Sequence, residues 1–233
     1  MQSCHSRFYL RKAQESFLAS LQHANDDFLE SSTVNNTQRK VFVPPTQPVS
    51  TIHTTADSPR RPEVEDFIKH IFAQRYNAEV NTFTPNLMML EQRESIIAAT
   101  GWRAAQHTPL FLERYLDTPI EQTMAQLTQP QVRREHIVEV GHLASKKAGG
   151  SVHIIRALGA HLSAQGFEWV VFTATQELIG IFSKLGLPLL VLACADPARL
   201  KQDANLWGTY YDTRPIVVAG RIKLGLQRMG AQA

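Results

Sequence analysis

The strongest pattern of apolar and polar positions runs from residue 136 to residue 196. Residues 137–144 (IVEVGHLA) are a short apolar run rich in β-branched residues, which predicts a strand. A basic, glycine-containing loop, KKAGG at 146–150, follows it. Ser151 is placed to cap a helix whose apolar stripe is Val152, Ile155, Leu158 and Leu162, with Ile154 beside it; Gly166 ends that helix. Residues 168–175 (EWVVFTAT) have a continuous apolar centre, as a strand covered on both faces would. Leu178, Ile181, Phe182 and Leu185 recur at helical spacing until Gly186 and Pro188 stop the helix. Residues 189–195 (LLVLACA) predict a last strand. Two βα units in a row predict a mostly parallel sheet joined by right-handed crossovers.

Upstream, Leu10, Ala13, Phe17, Leu21, Ala24 and Phe28 fall on one stripe, with Arg7, Arg11 and Lys12 near its start. This predicts an amphipathic helix over 8–29, within an N-terminal unit 1–30. Such a stripe packs on its own domain or a partner, or lies on a membrane surface as a peripheral contact. Residues 31–47 are polar and proline-bearing and predict a linker. The globular domain is expected over 48–233, opening with TIHTTA as a short strand. Pro59 and Pro62 mark a helix start, Glu63 and Glu65 suit its first turn, and Val64, Phe67, Ile68, Ile71 and Phe72 form its apolar face. Residues 87–92 and 95–105 predict an antiparallel hairpin across Arg93-Glu94. Residues 109–116 (PLFLERYL) fit a strand or a helix equally. Thr118-Pro119-Ile120-Glu121 reads as a capped helix start, the helix running to about Leu127. A short helix after Asp196-Pro197, the segment 207–215 (WGTYYDTRP) and a strand at 215–222 complete the chain, and no internal repeat is seen.

Composition narrows the picture. At 233 residues the chain holds one domain with an appendage. The net charge is +3, with lysines and arginines scattered rather than clustered, which argues against a nucleic-acid partner. Cys4 and Cys194 are the only cysteines, too few and too far apart for a disulfide framework or a zinc site. No metal is expected, and a reducing, cytoplasmic location fits. The longest apolar run, 187–195, is too short to span a bilayer. The N-terminus lacks the continuous apolar stretch of a secretory signal.

The join at 145–151 carries the candidate chemistry. Gly149 and Gly150 let backbone N–H groups approach an anion, the helix N-terminus behind them adds partial positive charge, and Lys146 and Lys147 add full charges. That suits a phosphate or pyrophosphate. The alternative is a tight turn with a solvated lysine pair.

The element order and the segment Lys146-Lys147-Ala148-Gly149-Gly150-Ser151 resemble the GNAT acyltransferases, whose acyl-CoA loop is Arg/Gln-x-x-Gly-x-Gly/Ala. The resemblance implies an α/β fold with a mixed sheet flanked by helices. It also implies an acyl-CoA or acyl carrier protein thioester as co-substrate, a small amine as acceptor, and a pantetheine running along 139–145, past Leu143 and Ser145. At the position of the family's tyrosine this chain has Phe182. The strand at 139–144 (EVGHLA) resembles the Glu-x-x-Arg strand of the acyl-homoserine-lactone (autoinducer) synthases, with His142 where arginine would stand. Most closely, residues 55–222 are similar to the bacterial thermostable hemolysin family, in RRPEVEDFI, PLFLERYLDTPIEQ, IVEVGHLA, WVVFTAT and WGTYYDTRP. That name implies lysis of red cells, whereas the fold resemblance implies acyl transfer.

Acyl transfer to an amine needs a base and a donor to the thioester carbonyl. Glu139 interrupts an apolar strand, and burial would raise its pKa toward that of a working base. It reads equally as half of a buried ion pair with Arg103 or Arg114. His142 lies three residues on, so regular alternation puts it on the opposite face, and both serve one site only if the strand is bulged. Tyr210 and Tyr211 are candidate proton donors or core aromatics. Trp102, Arg103 and Thr173 are candidates for the substrate pocket, with packing the alternative for the first two. Ser145, His153 and Asp196 do not make a hydrolase triad, since Ser145 is in no Gly-x-Ser-x-Gly elbow.

Overall fold

The described residues build one seven-stranded sheet in the order β1-β2-β3-β4-β5-β7-β6. The strands are β1 (Ser50–Thr54), β2 (Asn86–Gln92), β3 (Ser95–Ala104), β4 (Ile137–Ser145), β5 (Trp169–Ala174), β6 (Leu190–Cys194) and β7 (Ile216–Arg221). Helices α1 (Arg61–Tyr76), α2 (Ile120–Ala125), α3 (Ala148–Ala164), α4 (Gln176–Lys184) and α5 (Ile222–Ala231) surround it. This is a computed structural model, and it describes residues 48–128, 131–146 and 148–231. The amphipathic segment 8–29 and the linker 31–47 lie outside the described residues.

The mostly parallel sheet expected from two βα units is not what forms. Only β4 and β5 pair in parallel. β7 enters between β5 and β6 and pairs antiparallel with both. Burial accounts for it: Ile216–Gly220 of β7 are buried throughout, whereas Leu192 is the one buried residue of β6. The strand apolar on both faces takes the inner position, and β6 becomes the edge. The β2–β3 hairpin forms as predicted. Arg93 (φ 53°) and Glu94 (φ 59°) are both left-handed, the turn whose twist suits two strands joined by two residues.

Strand alternation sorts the core onto the two faces. Leu87, Met89, Ala99 and Ala144 pack beneath α1 with Val64, Ile68 and Phe72. Met88, Leu90, Ala98 and Val138 pack beneath α3 with Ile154, Leu158, Leu162 and Ile222. Ile137, Val171, Val217 and Ala219 are covered by Leu112, Ile120, Met124 and Leu200.

The ambiguous segment 109–116 is neither strand nor α-helix; it contains the 3-10 helix Phe111–Tyr115. A clamp fixes it. Arg134 donates to both oxygens of Glu113, at 2.6 and 2.9 Å, and to Glu121 at 2.7 Å. Glu113 also accepts from the N–H groups of Leu110 (2.7 Å) and Ile120 (2.8 Å). Burial opposes ionisation of Glu113, but Arg134 and these two N–H groups outweigh it and hold its carboxyl below the usual range. The first turn of α2 is thus satisfied by Glu113 rather than by Thr118, whose hydroxyl pairs with that of Thr123 at 2.9 Å.

A second constraint joins the C-terminus of α1 to the loop that follows Trp207. Asn77 ends α1 in the left-handed region (φ 51°). Thr209 donates its N–H to Tyr76 O at 2.8 Å, and Glu79 donates to Leu206 O at 2.6 Å. Between them Gly208 has φ 50° and ψ −123°, and a Cβ there would lie 2.1 Å from Tyr76 O. Only glycine fits such a backbone and such an approach. Gly208→Ala is therefore expected to lose roughly 1–3 kcal/mol or more of unfolding free energy in urea titration. The neighbouring Thr209→Ala is expected to lose less.

Candidate active site

β4 starts as a regular parallel partner of β5. Ile137, Val138 and Glu139 pair with Trp169, Val170 and Val171, and there the pairing stops, although β5 continues to Ala174. On the other side β4 stays paired with β3 but slips. Ala99 faces Ala144 and Gly101 faces Gly141, so three steps on β4 oppose two on β3. The extra residue is a β-bulge, and within it His142 has φ 56°. The bulge turns β4 away from β5 and opens a gap in the middle of the sheet.

A cavity of about 460 Å³ occupies that gap. Val140, Gly141, His142 and Leu143 line it from β4, and Phe172, Thr173 and Thr175 from β5 and its end. On the α1 side Tyr76, Phe111, Trp207 and Tyr210 line it; on the α3 side Ser151, Ile155 and Leu158 do. It therefore passes between two strands of one sheet and reaches both faces, which a fully paired sheet would forbid.

Glu139 sits at the apex of the gap and is 5% exposed. Its Oε1 accepts the N–H of Leu112 at 2.8 Å, and its Oε2 accepts that of Phe111 at 3.0 Å. Arg103 Nε lies 3.1 Å from Oε2 but makes no hydrogen bond, so the contact is an ion pair without good donor geometry. Burial pushes the Glu139 carboxyl up; Arg103 and the two N–H groups pull it down; the net direction is up. The sequence left Arg103 and Arg114 open as partners of Glu139, and the partner is Arg103. Arg114 pairs with Asp203 instead, at 2.9 Å.

His142 shares the cavity with Glu139, because the bulge cancels the alternation that would have separated them. Its Nδ1 is buried with no hydrogen-bond partner among the described residues, while the ring bonds the Thr82 backbone. Burial, helped by the charges of Arg103 and Arg61, holds the ring pKa down to about 4, so the imidazole is neutral near pH 7. Tyr210 also lines the cavity, packed edge-on against Tyr76 (5.2 Å) and Tyr211 (5.3 Å) and tilted against Trp207 (5.3 Å). The Tyr115 and Tyr211 hydroxyls meet at 2.5 Å. Burial raises the pKa of Tyr76, Tyr115, Tyr210 and Tyr211, so these phenols are protonated at neutral pH.

The glycine segment differs from its expectation. The helix begins at Ala148, so Gly149 and Gly150 lie in its first turn rather than in a loop, and Ser151 is inside the helix rather than capping it. The reason is close packing. Lys146 donates its N–H to Ile97 O at 3.1 Å, which keeps β4 bound to β3 almost to the helix. A Cβ at Gly150 would lie 2.5 Å from Ser145 Oγ. The N–H groups of a helix's first turn have no partner within the helix, the geometry that anion sites use. Lys146 is exposed, with its Nζ 5.6 Å over the Phe67 ring, and with His70, Arg75, Ser145, Ser151 and Glu177 it lines a more open depression that shares residues with the cavity. Lys147 lies outside the described residues.

Among the remaining candidates, Arg103, Leu143, Ser145, Ser151 and Thr173 line the cavity. Trp102 does not. It projects from the other face of β3, against His161 (5.8 Å) and Phe167 (6.0 Å), in the core beneath α3. Phe182, at the position of the GNAT tyrosine, stacks on Phe172 at 5.1 Å and offers no proton. Sequence reasoning missed Tyr76, Trp207 and the two N–H donors on Glu139. Trp207 stood within a noted segment, but nothing local to either aromatic pointed to a cavity. Among the described residues no cluster of histidine, cysteine or acidic side chains is arranged to hold a metal ion, and no helix is long and apolar enough to cross a membrane.

The model of the thermostable hemolysin family matches residues 54–226. The chain belongs to the thermostable hemolysin family. No curated protein matches its sequence significantly. Solved structures similar to this hemolysin-family chain include the AHL synthase LasI (TM-score 0.52, 12% identity, covering 78% of this chain and 95% of LasI). TofI in an apo form is similar too (TM-score 0.53, 10% identity, 76% and 96%). So is the CoA-dependent acyl-homoserine lactone synthase BjaI (TM-score 0.55, 11% identity, 79% and 89%). At such identities the likeness is one of fold: the hemolysin-family domain has the GNAT-like acyltransferase fold, shared with the AHL synthases.

The neutral His142 has a testable consequence. Its folded pKa lies below its ordinary value of 6.5, so the unfolded chain takes up the proton first. The stability this contributes is complete above about pH 6.5 and is lost as the pH falls toward 4. Asparagine tolerates the left-handed backbone and does not titrate. Urea unfolding of wild type should weaken over that range by more than unfolding of His142→Asn.

Proposed function

We propose that this hemolysin-family protein transfers an acyl group from an acyl-CoA or acyl carrier protein thioester to a small amine. The observation that carries the reading is the gap between β4 and β5, with a carboxylate at its apex and a cavity running through it. A pantetheine arm is long, thin and amide-bearing. The edge of β4 past Glu139 has no ladder partner in β5, so its backbone groups can bond such an arm as a strand would. The phosphates would lie on the first turn of α3, with Lys146 and Ser151 beside them. BjaI, of the same fold, is seen with SAM and isopentyl-CoA, which supports a thioester donor and a cationic acceptor.

The acceptor would enter from the α1 side, where Tyr76, Trp207 and Tyr210 surround the opening and Glu139 supplies negative charge. Aromatic faces and a carboxylate together favour an amine. The amine nitrogen attacks the thioester carbon; the C–N bond forms and the C–S bond breaks. Glu139 takes the proton leaving the amine. Unpaired N–H groups of β4 would stabilise the developing oxyanion. The departing thiolate needs a proton that Phe182 cannot give. Tyr76, which lines the cavity and is hydrogen-bonded to Thr175 at the end of β5, would supply it. His142, neutral and with a free Nδ1, would orient the substrate amide or carbonyl.

Thiol release with acyl-CoA and acyl carrier protein donors, with and without amines, tests the reading. Release should require the amine and should rise with pH through a Glu139 ionisation above the usual carboxylate range. Glu139→Gln should lower kcat about 100-fold or more with donor binding kept. Gly150→Val, which pushes α3 off Ser145, should raise the donor KM. Removing residues 1–47 should leave turnover intact, whereas a lytic role carried by 8–29 would be lost. No release and no donor binding would overturn the reading.

A further inference from the structure

On the α3 side the cavity does not end at the gap. It continues between α3 and α5 over β5 and β7, where Leu158, Leu162, Val170, Leu226 and Met229 line it. The charged residue at this margin, Arg221, is turned onto the Trp169 ring at 4.8 Å. Two glycines in helix interiors face this branch, Gly159 of α3 and Gly225 of α5, and Gly220 of β7 lies beside them. Glycine is a poor helix former, so its use there asks for a reason of space. A Cβ at Gly159 would come within 3.3 Å of Leu226 Cδ2, and one at Gly220 within 3.3 Å of Leu189 Cδ2. At Gly225 a Cβ would meet only Leu187 Cδ2, at 3.9 Å, an ordinary contact. A side chain at 225 is thus tolerated by the fold and takes up space beside the branch. The same cavity contains the unpartnered Nδ1 of His142 and the Glu139 apex, so the apolar branch and the polar gap form one ligand site.

We propose that this branch holds the hydrocarbon chain of a medium- or long-chain acyl donor, with Gly225 and Met229 setting the accepted length. The inference rests on the acyltransferase reading of the same site and specifies its donor. A chain of methylenes is the chemistry an apolar, narrow branch accepts. An acetyl group would leave the branch empty and gain nothing from it. Met229, buried near the C-terminal end of α5, is placed to close the far end.

The test is calorimetric titration of the full chain with CoA, acetyl-CoA, octanoyl-CoA and decanoyl-CoA, beside fluorescence titration with cis-parinaric acid as a free hydrocarbon chain. Burial of each methylene is worth about fourfold in affinity, so decanoyl-CoA should bind at least about tenfold tighter than acetyl-CoA. Gly225→Leu should cut decanoyl-CoA and parinarate binding by about tenfold and leave acetyl-CoA unchanged. Met229→Ala should shift the preferred donor to a longer chain. Gly225→Ala is the milder variant and should give the same direction of effect should leucine prevent folding. Affinities independent of chain length, or unmoved by both Gly225 variants, would overturn the inference and leave the acyltransferase reading standing. Parinarate binding blocked by Gly225→Leu, with no CoA derivative bound, would sustain the chain slot and overturn the acyltransferase reading. No binding of either probe would overturn both.

Discussion

Everything distinctive about this domain depends on β4 leaving β5 after Glu139. A sheet interior normally pairs every N–H and C=O, and opening it exposes groups that are costly to strand without partners. Here the opening is held by compensations on both sides. The bulge at His142 bends β4 while its other edge stays bonded to β3, with Thr100 Oγ1 donating to Gly141 O at 3.0 Å inside the irregular stretch. Glu139, at the last paired position, reaches out of the sheet and captures the N–H groups of Phe111 and Leu112. Those two donors belong to a 3-10 turn that Glu113 and Arg134 hold rigid from behind. The apex carboxylate is thus fixed by a turn that is itself fixed by a second ion pair.

The α1 side of the site is built by a different device. Asn77 and Gly208 both adopt left-handed backbones, and they let the chain after Trp207 fold against the last carbonyls of α1. That approach places Trp207 and Tyr210 against Tyr76 and Phe111. The four rings come from three segments far apart in sequence and meet edge-on or tilted, the arrangement that ring quadrupoles favour. The Tyr76 and Tyr210 hydroxyls are kept protonated by burial, so this wall donates hydrogen bonds and presents aromatic faces, while Glu79, Glu139, Glu177 and Asp203 bring carboxyl groups to the cavity lining.

The sequence carried the local elements well and the long-range ones poorly. β4, α3, β5, α4 and the β2–β3 hairpin were legible because period, caps and glycines act within a few residues. The paired position of β7 was not, since its insertion between β5 and β6 depends on competition for a buried site rather than on anything adjacent to it. The 3-10 turn at Phe111–Tyr115 was equally hidden: Glu113 within it accepts the N–H of its N-cap residue Leu110, and the arginine that holds Glu113 lies more than one element away. Arg103 and Arg114 were both open as partners of Glu139 by type, and nothing local chose between them. The left-handed His142 that lets His142 and Glu139 share a cavity leaves no mark in residue identity, since neighbouring Gly141 would have been the natural choice for such a backbone.

Glu139 then faces two demands that pull its ionisation in opposite directions. As the acceptor of two N–H groups it is favoured in its charged form, and Arg103 favours that state too. In the proposed transfer it would act as a base and must keep enough affinity for a proton; burial raises its pKa in that direction. The geometry reconciles the two. Each carboxylate oxygen offers two acceptor directions; Oε1 uses one for Leu112, and Oε2 uses one for Phe111, with Arg103 alongside at an angle too poor to take a full hydrogen bond. A free direction remains on Oε1, and Glu139 is one of the residues lining the cavity. Burial outweighs the pull of Arg103 and of the two N–H groups, so the arrangement anchors the turn while the carboxyl keeps the raised affinity for a proton that the proposed role requires.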